Sequence, residues 1–139
     1  MSIYEPSASV WTSRMLSILR VISGLMFLLA GTMKIFNYPP MPPEQPPIVL
    51  MSQIGIGGLL EVIGGTLFTI GLLTRPVSFI LAGMMAVAYF QFHAPGGFLP
   101  NMNGGIPAVL YCFIFLYFML AGAGAWSVDA VLARRTSRQ

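Results

Sequence analysis

Four apolar runs, at residues 14–36, 50–73, 77–92 and 106–124, take up most of this 139-residue chain. An α-helix rises ~1.5 Å per residue and the hydrocarbon core of a bilayer is ~30 Å thick, so runs of this size are built to cross it. The first, RMLSILRVISGLMFLLAGTMKIF, is too long for the core of a signal peptide, and no small-x-small cleavage pattern follows it. It is expected to stay in the mature chain. Pro76 and Pro107 fall where a first helical turn tolerates proline. The sequence therefore predicts an all-α, integral membrane four-helix bundle. Residues 1–13 form a leading segment, 14–124 the four-span domain and 125–139 a tail.

Composition narrows the chemistry. Apolar residues make up 56% of the chain and charged residues 8%, against roughly a quarter charged in soluble domains. The net charge of +3 does not point to nucleic acid, because the basic residues sit at the ends of apolar segments and read as topology signals. A single cysteine, Cys112, excludes an internal disulfide, a CxxC pair and a zinc cluster, and it reads as a small buried apolar side chain. The single histidine, His93, excludes a bis-histidine haem within one copy, and with so few carboxylates no metal site is expected. No motif for an intrinsic cofactor is present. The ten methionines and ten phenylalanines read as lipid-facing and core filler.

The connections differ in kind. NYPPMPPEQPP, with six prolines between residues 39 and 47, predicts a stiff, extended link outside the lipid. Thr74-Arg75-Pro76 is a tight turn. Residues 93–105, HAPGGFLPNMNGG, carry turn formers and no acidic residue, Lys or Arg, a composition suited to folding back over the bundle mouth. Four spans place both termini and the middle turn on one side, which collects Arg14, Arg20, Arg75, Arg134, Arg135 and Arg138, whereas the other has only Lys34 near a helix end. The positive-inside rule puts both termini in the cytoplasm and the proline-rich link outside. Ser127 is placed to cap a short amphipathic tail helix, SVDAVLARR, lying on the inner surface.

Ionisable groups in a span cost at least ~2.5 kcal/mol each at its centre and usually face protein or water. The candidates are Arg20, Lys34 and Glu61, with His93 at an interface. Arg20, Gly24, Phe27, Gly31 and Lys34 recur at alternating spacings of four and three, which is one helix face. Gly57, Glu61, Gly64, Phe68 and Gly71 repeat the pattern in the second span. Two glycine stripes that each carry a charge predict one close helix contact. Counting ~1.5 Å per residue from the inner ends puts Arg20 near 9 Å, Glu61 near 18 Å, His93 near 25 Å and Lys34 near 30 Å. Because side chains lean toward their helix N-terminus, Lys34 and Glu61 on antiparallel spans lean toward each other. The expected site is an outer-half cluster of Lys34, Glu61 and His93, with Tyr89 as its hydrogen-bond partner and a candidate substrate contact. Arg20 leans the other way, to snorkel to phosphates or to touch substrate. The plainer alternatives are a register-setting ion pair for Lys34 and Glu61, an interface residue for His93 and aromatic packing for Tyr89.

The order LRVISGLMFLLAGTMKIF, then GGLLEVIGGTLFTIGLLTRPVSFILAGMMAVAYFQFH, then GAGAWSVDAVLARR resembles the DoxX family of small four-helix bacterial membrane proteins. The family's recurring arginine and lysine in the first span, glutamate in the second and histidine ending the third match Arg20, Lys34, Glu61 and His93. The resemblance implies a part in respiratory or redox membrane complexes and a quinone as the cofactor. The proline-dense first outer loop departs from the family pattern.

Three functions follow. In the first, the chain is a redox subunit that interacts with quinone, with Glu61, Lys34 and His93 exchanging protons and a partner subunit supplying electrons. In the second it is a non-catalytic anchor or assembly subunit of a redox complex. In the third it conducts protons or a small solute, with Glu61 as the titrating group and oligomerisation widening the path. In each, the expected partners are the lipid bilayer and other membrane subunits.

Overall fold

The computed structural model describes residues 6–43 and 47–137. Arg138 of the inner arginine set, residues 1–5 of the leading segment and residues 44–46 of the proline-rich link lie outside the described residues. Among the described residues the chain is all-helical with no strand. The elements run α1 (Pro6–Phe36), α2 (Gln53–Ile70), α3 (Thr74–Ala88), a π-helical turn (Tyr89–His93), a 3-10 turn (Ala94–Gly96), short α4 (Pro100–Asn103), α5 (Ile106–Ala121) and α6 (Val128–Thr136).

Three helical stretches, Ser9–Phe36, Gln53–Ile70 and Thr74–Gly96, are long and apolar enough to cross a membrane. The sixteen residues of α5 rise about 24 Å and fall short of that length. Ends differ from the sequence expectation where caps decide them. Ser52 starts α2 three residues later than expected, its Oγ accepting the N–H of Gly55 at 3.1 Å. Gly71, at φ 72°, ends α2 after Ile70 because its left-handed conformation lets the chain fold back onto the carbonyls of Leu67 and Phe68. At the other end of α3, the backbone continues past Ala88 as the π turn, so the third helical stretch reaches His93 without a break.

α1 packs along α2, α3 packs along α5, and α2 joins the two pairs. Their shared core is an aromatic chain. Phe27, Phe68, Phe115 and Phe118 are almost fully buried. Their rings meet edge to face at 4.9–5.0 Å in the pairs Phe27–Phe115, Phe68–Phe115 and Phe68–Phe118, the geometry the aromatic quadrupole favours. Leu81, Ala82 and Met85 of α3 complete it, and half-buried Cys112 packs at its edge. The outer surface is apolar too, with Ile22, Met26, Phe79, Phe113 and Leu120 each more than half exposed. A water-soluble surface avoids continuous apolar faces of this kind.

The tail is fastened to the end of the bundle where α2 turns into α3. Ser127 caps α6, accepting the N–H of Ala130 at 3.1 Å. The Asp129 carboxylate accepts the N–H groups of Leu73 and Thr74 at 2.9 Å each. Leu73 sits at φ 51° and offers no side-chain cap to α3, so a carboxylate from α6 satisfies that N-terminus instead.

Candidate functional site

The α1 face carrying Arg20, Gly24, Phe27 and Gly31 is buried, with Lys34 half-buried in the last turn of the helix. Its glycines allow close approach. A Cβ on Gly31 would stand 2.7 Å from the Glu61 Cβ and 2.8 Å from the Val62 backbone nitrogen, and one on Gly24 would meet Thr69 Oγ1. On α2 the glycines that receive α1 are Gly58, against Lys34 and Ile35, and Gly65, against Leu28. This corrects the expected stripe: Gly64 instead faces Leu81 of α3, and Gly57 faces open space. One residue turns a helix by ~100°, and α2 lies between two neighbours, so its adjacent glycines serve different partners.

Across this seam Lys34 Nζ donates to both oxygens of Glu61, at 2.6 and 2.7 Å. The carboxylate side chain is 5% exposed and the lysine side chain 31%, so the pair is sealed on the Glu61 side and open on the Lys34 side. It opens onto an apolar cavity of about 450 Å³ whose wall includes Phe27, Met85, Phe92 and Tyr111, and which His93 also lines. Lys34, Glu61 and His93 thus share a cavity, but among the described residues no hydrogen bond joins His93 to the ion pair.

His93 and Tyr89 belong instead to a second polar group that closes the loop between the π turn and α5. His93 Nδ1 lies 3.1 Å from the carbonyl oxygen of Asn103. A carbonyl only accepts, so the ring nitrogen facing it, Nδ1, is the donor. The Tyr89 hydroxyl donates to the Phe98 carbonyl and accepts from Asn103 Nδ2 at 3.4 Å. The expectation that Tyr89 hydrogen-bonds to the charged cluster is therefore corrected. The wider winding of the π turn carries residues 89–93 toward the loop, where the Tyr89 and His93 rings stack at 6.3 Å. Asn103 organises this group: its Nδ2 also donates to the Gly97 carbonyl at 2.6 Å and its Oδ1 accepts the Gly105 N–H at 2.7 Å. Neither Asn103, nor Tyr111, nor the Gln53–Gln91 hydrogen bond between α2 and the π turn was singled out by spacing. The only signal for Asn103 was its place in a Gly- and Pro-rich loop.

Arg20 is also corrected. It is 1% exposed, and its guanidinium donates to the carbonyls of Thr69 at 3.3 Å, Trp126 at 2.7 Å and Ala123. These donors are taken up within the protein, so Arg20 neither snorkels to phosphate nor faces the cavity. The C-terminal end of α2 and the turn after α5 leave carbonyls without helical partners, and a planar fork of donors meets several at once.

Apolar helices of spanning length, an apolar exterior and, within the spans, the charges of Arg20, Lys34 and Glu61 held against neighbouring protein define a membrane protein with several spans. The chain belongs to the DoxX family, whose model matches residues 15–94. That stretch holds Arg20, Lys34, Glu61, Tyr89 and His93, whereas Asn103 and Asp129 lie beyond it. The chain is 39% identical over 117 residues to an uncharacterized protein of Haemophilus influenzae, covering 82% of this chain and 87% of the other. It is 31% identical over 138 residues to an uncharacterized membrane protein of Mycobacterium tuberculosis, with 86% and 82% covered. It is 27% identical over 129 residues to the inner membrane protein YqjF of Escherichia coli, with 84% and 90% covered. No solved structure gives a significant match.

Proposed function

We propose that the chain is a four-span subunit of a bacterial inner-membrane redox system, with both termini cytoplasmic, that holds a quinone in the cavity at Lys34, Glu61 and His93. One observation carries this reading: a two-point Lys34–Glu61 pair opens onto an apolar cavity of about 450 Å³ that His93 also lines. Ligand cavities generally run ~300–1,000 Å³, mostly apolar with a few polar groups that orient the ligand. The donor set suits a quinone head, because the Lys34 ammonium offers N–H to a carbonyl oxygen while Phe27, Phe92 and Tyr111 give the ring an aromatic wall. When bound, a quinone supplies acceptance of two electrons and two protons. The chain's own residues do the rest. Lys34 orients the carbonyl, Glu61 and His93 Nε2 hold or release protons at the cavity wall, and the apolar lining excludes water. A partner oxidoreductase delivers the electrons. The positions of Arg14, Arg75, Arg134 and Arg135, at the termini and the α2–α3 turn, support placing Lys34 near the outer face.

Glu61→Gln tests the proposal. The amide keeps the shape and one acceptor for Lys34, and the half-exposed lysine tolerates the loss of the second, so melting in mild detergent should shift by no more than about 5 °C. Quinol-linked turnover in membranes carrying this variant as the sole copy should be abolished. Unchanged turnover with normal expression would contradict the reading.

A further inference from the structure

An ammonium has three donors. Glu61 takes two of those on Lys34, and among the described residues the third has no acceptor. Lys34 is also the junction of two cavities. Together with Ala30 and Ile54 it borders both the chamber of about 450 Å³ that contains Glu61 and a second, of about 470 Å³, beneath the proline-rich link, walled by Met33, Met41 and Val49. A molecule whose polar head stops at Lys34 in the chamber has an apolar channel beside it for a tail. The head meets a pair with no net charge. A neutral carbonyl oxygen accepts the third N–H without disturbing the pair, whereas an anionic head brought to the same nitrogen lies a few ångströms from the Glu61 carboxylate in apolar surroundings. Two anions then share one cation, which is the arrangement that discriminates against charged competitors.

We infer that the Lys34–Glu61 chamber selects neutral, carbonyl-headed, long-tailed molecules, and that Glu61 is the residue that excludes anionic amphiphiles of the same tail. This rests on the site proposed above but not on its redox role. The selection is a property of binding alone and stands or falls apart from turnover.

The test uses the full chain in nanodiscs and two radiolabelled probes of equal tail length, a fatty-acid methyl ester and an alkyl sulfonate. The sulfonate is ionised at every working pH, so probe titration does not enter. The unaltered protein should bind the ester at least about tenfold more tightly than the sulfonate, and Glu61→Gln, which leaves Lys34 without a counter-charge, should shift that ratio toward the sulfonate by at least about tenfold. Lys34→Met should weaken ester binding by about tenfold through loss of the donor. A preference smaller than this in the unaltered protein overturns the inference, and that measurement needs no variant to fold. An unmoved ratio in well-folded Glu61→Gln overturns it as well.

Discussion

Replacing Arg20 with methionine is expected to abolish the stable fold. The guanidinium is 1% exposed and is the shared donor for the carbonyls of Thr69, Ala123 and Trp126, which belong to the end of α2 and the turn after α5. Methionine fills part of the space but donates nothing. Each buried acceptor left without a partner costs about 1–3 kcal/mol, so three together amount to roughly 3–9 kcal/mol, comparable to the whole stability of a domain. Lysine should not rescue, because a compact ammonium cannot reproduce a planar fork that reaches three carbonyls in two segments. The turn is further tied to α1 by the Trp126 N–H donating to Ser17 Oγ at 3.0 Å, and to α2 by the Asp129 N–H donating to the Gly71 carbonyl at 2.9 Å. Loss of Arg20 therefore leaves α6 held by these contacts and the Asp129 carboxylate, and loosens it together with the end of α2. Thermal unfolding in mild detergent, with tryptic cleavage at Arg134 and Arg135 as a local reporter, checks this. A variant that melts like the parent and resists trypsin equally would show that the three carbonyls find other partners.

Gly31→Leu is expected to separate α1 from α2 and break the ion pair with it. Even a methyl at this position falls within 3.0 Å of Glu61 Cβ, the Val62 nitrogen and the Glu61 carbonyl carbon. Two of these are backbone atoms and cannot swing aside. Overpacking a tight seam by a methyl costs about 1–3 kcal/mol, and a leucine requires more displacement than a rotamer change provides. The resulting shift acts directly on the backbone that carries Glu61. Gly83→Ala is the matched control: Gly83 is exposed on α3 with nothing within 4 Å of a new Cβ, and alanine favours the helix by up to about 1 kcal/mol. Melting temperatures of the two variants should move in opposite directions. Equal behaviour would remove the close α1–α2 contact from the explanation of the site.

These two glycines show what a sequence discloses. Within one helix the 3.6-residue period fixes which residues share a face, so the buried α1 face carrying Arg20, Gly24, Phe27, Gly31 and Lys34 could be read directly. Between helices the period says nothing about rotation. Gly57 and Gly64 repeat with the same spacing as Gly58 and Gly65, about 100° apart on α2, and only the positions of α1 and α3 decide that Gly58 and Gly65 meet α1, Gly64 meets α3 and Gly57 meets neither. The lean of side chains toward the helix N-terminus was enough to direct Lys34 and Glu61 at each other. Depth alone misled for Arg20, whose acceptors at Ala123 and Trp126 lie more than a hundred residues along the chain. A separation of 55 to 56 residues likewise hid Asp129, a tail residue that caps α3. Composition marked residues 93–105 as a turn-rich loop, but the role of Asn103 depends on four partners, at positions 89, 93, 97 and 105, converging on one residue.

The chamber itself is tested most directly by photolabelling. A short-tailed azidoquinone irradiated with the protein in nanodiscs, followed by peptide mass spectrometry, should label the chamber wall at residues 84–93 and 107–111, with labelling suppressed by excess unlabelled quinone and lost in Lys34→Met. Label confined to outward residues such as Met26, Phe79 or Phe113, or insensitive to competitor, would contradict a quinone site between Lys34, Glu61 and His93.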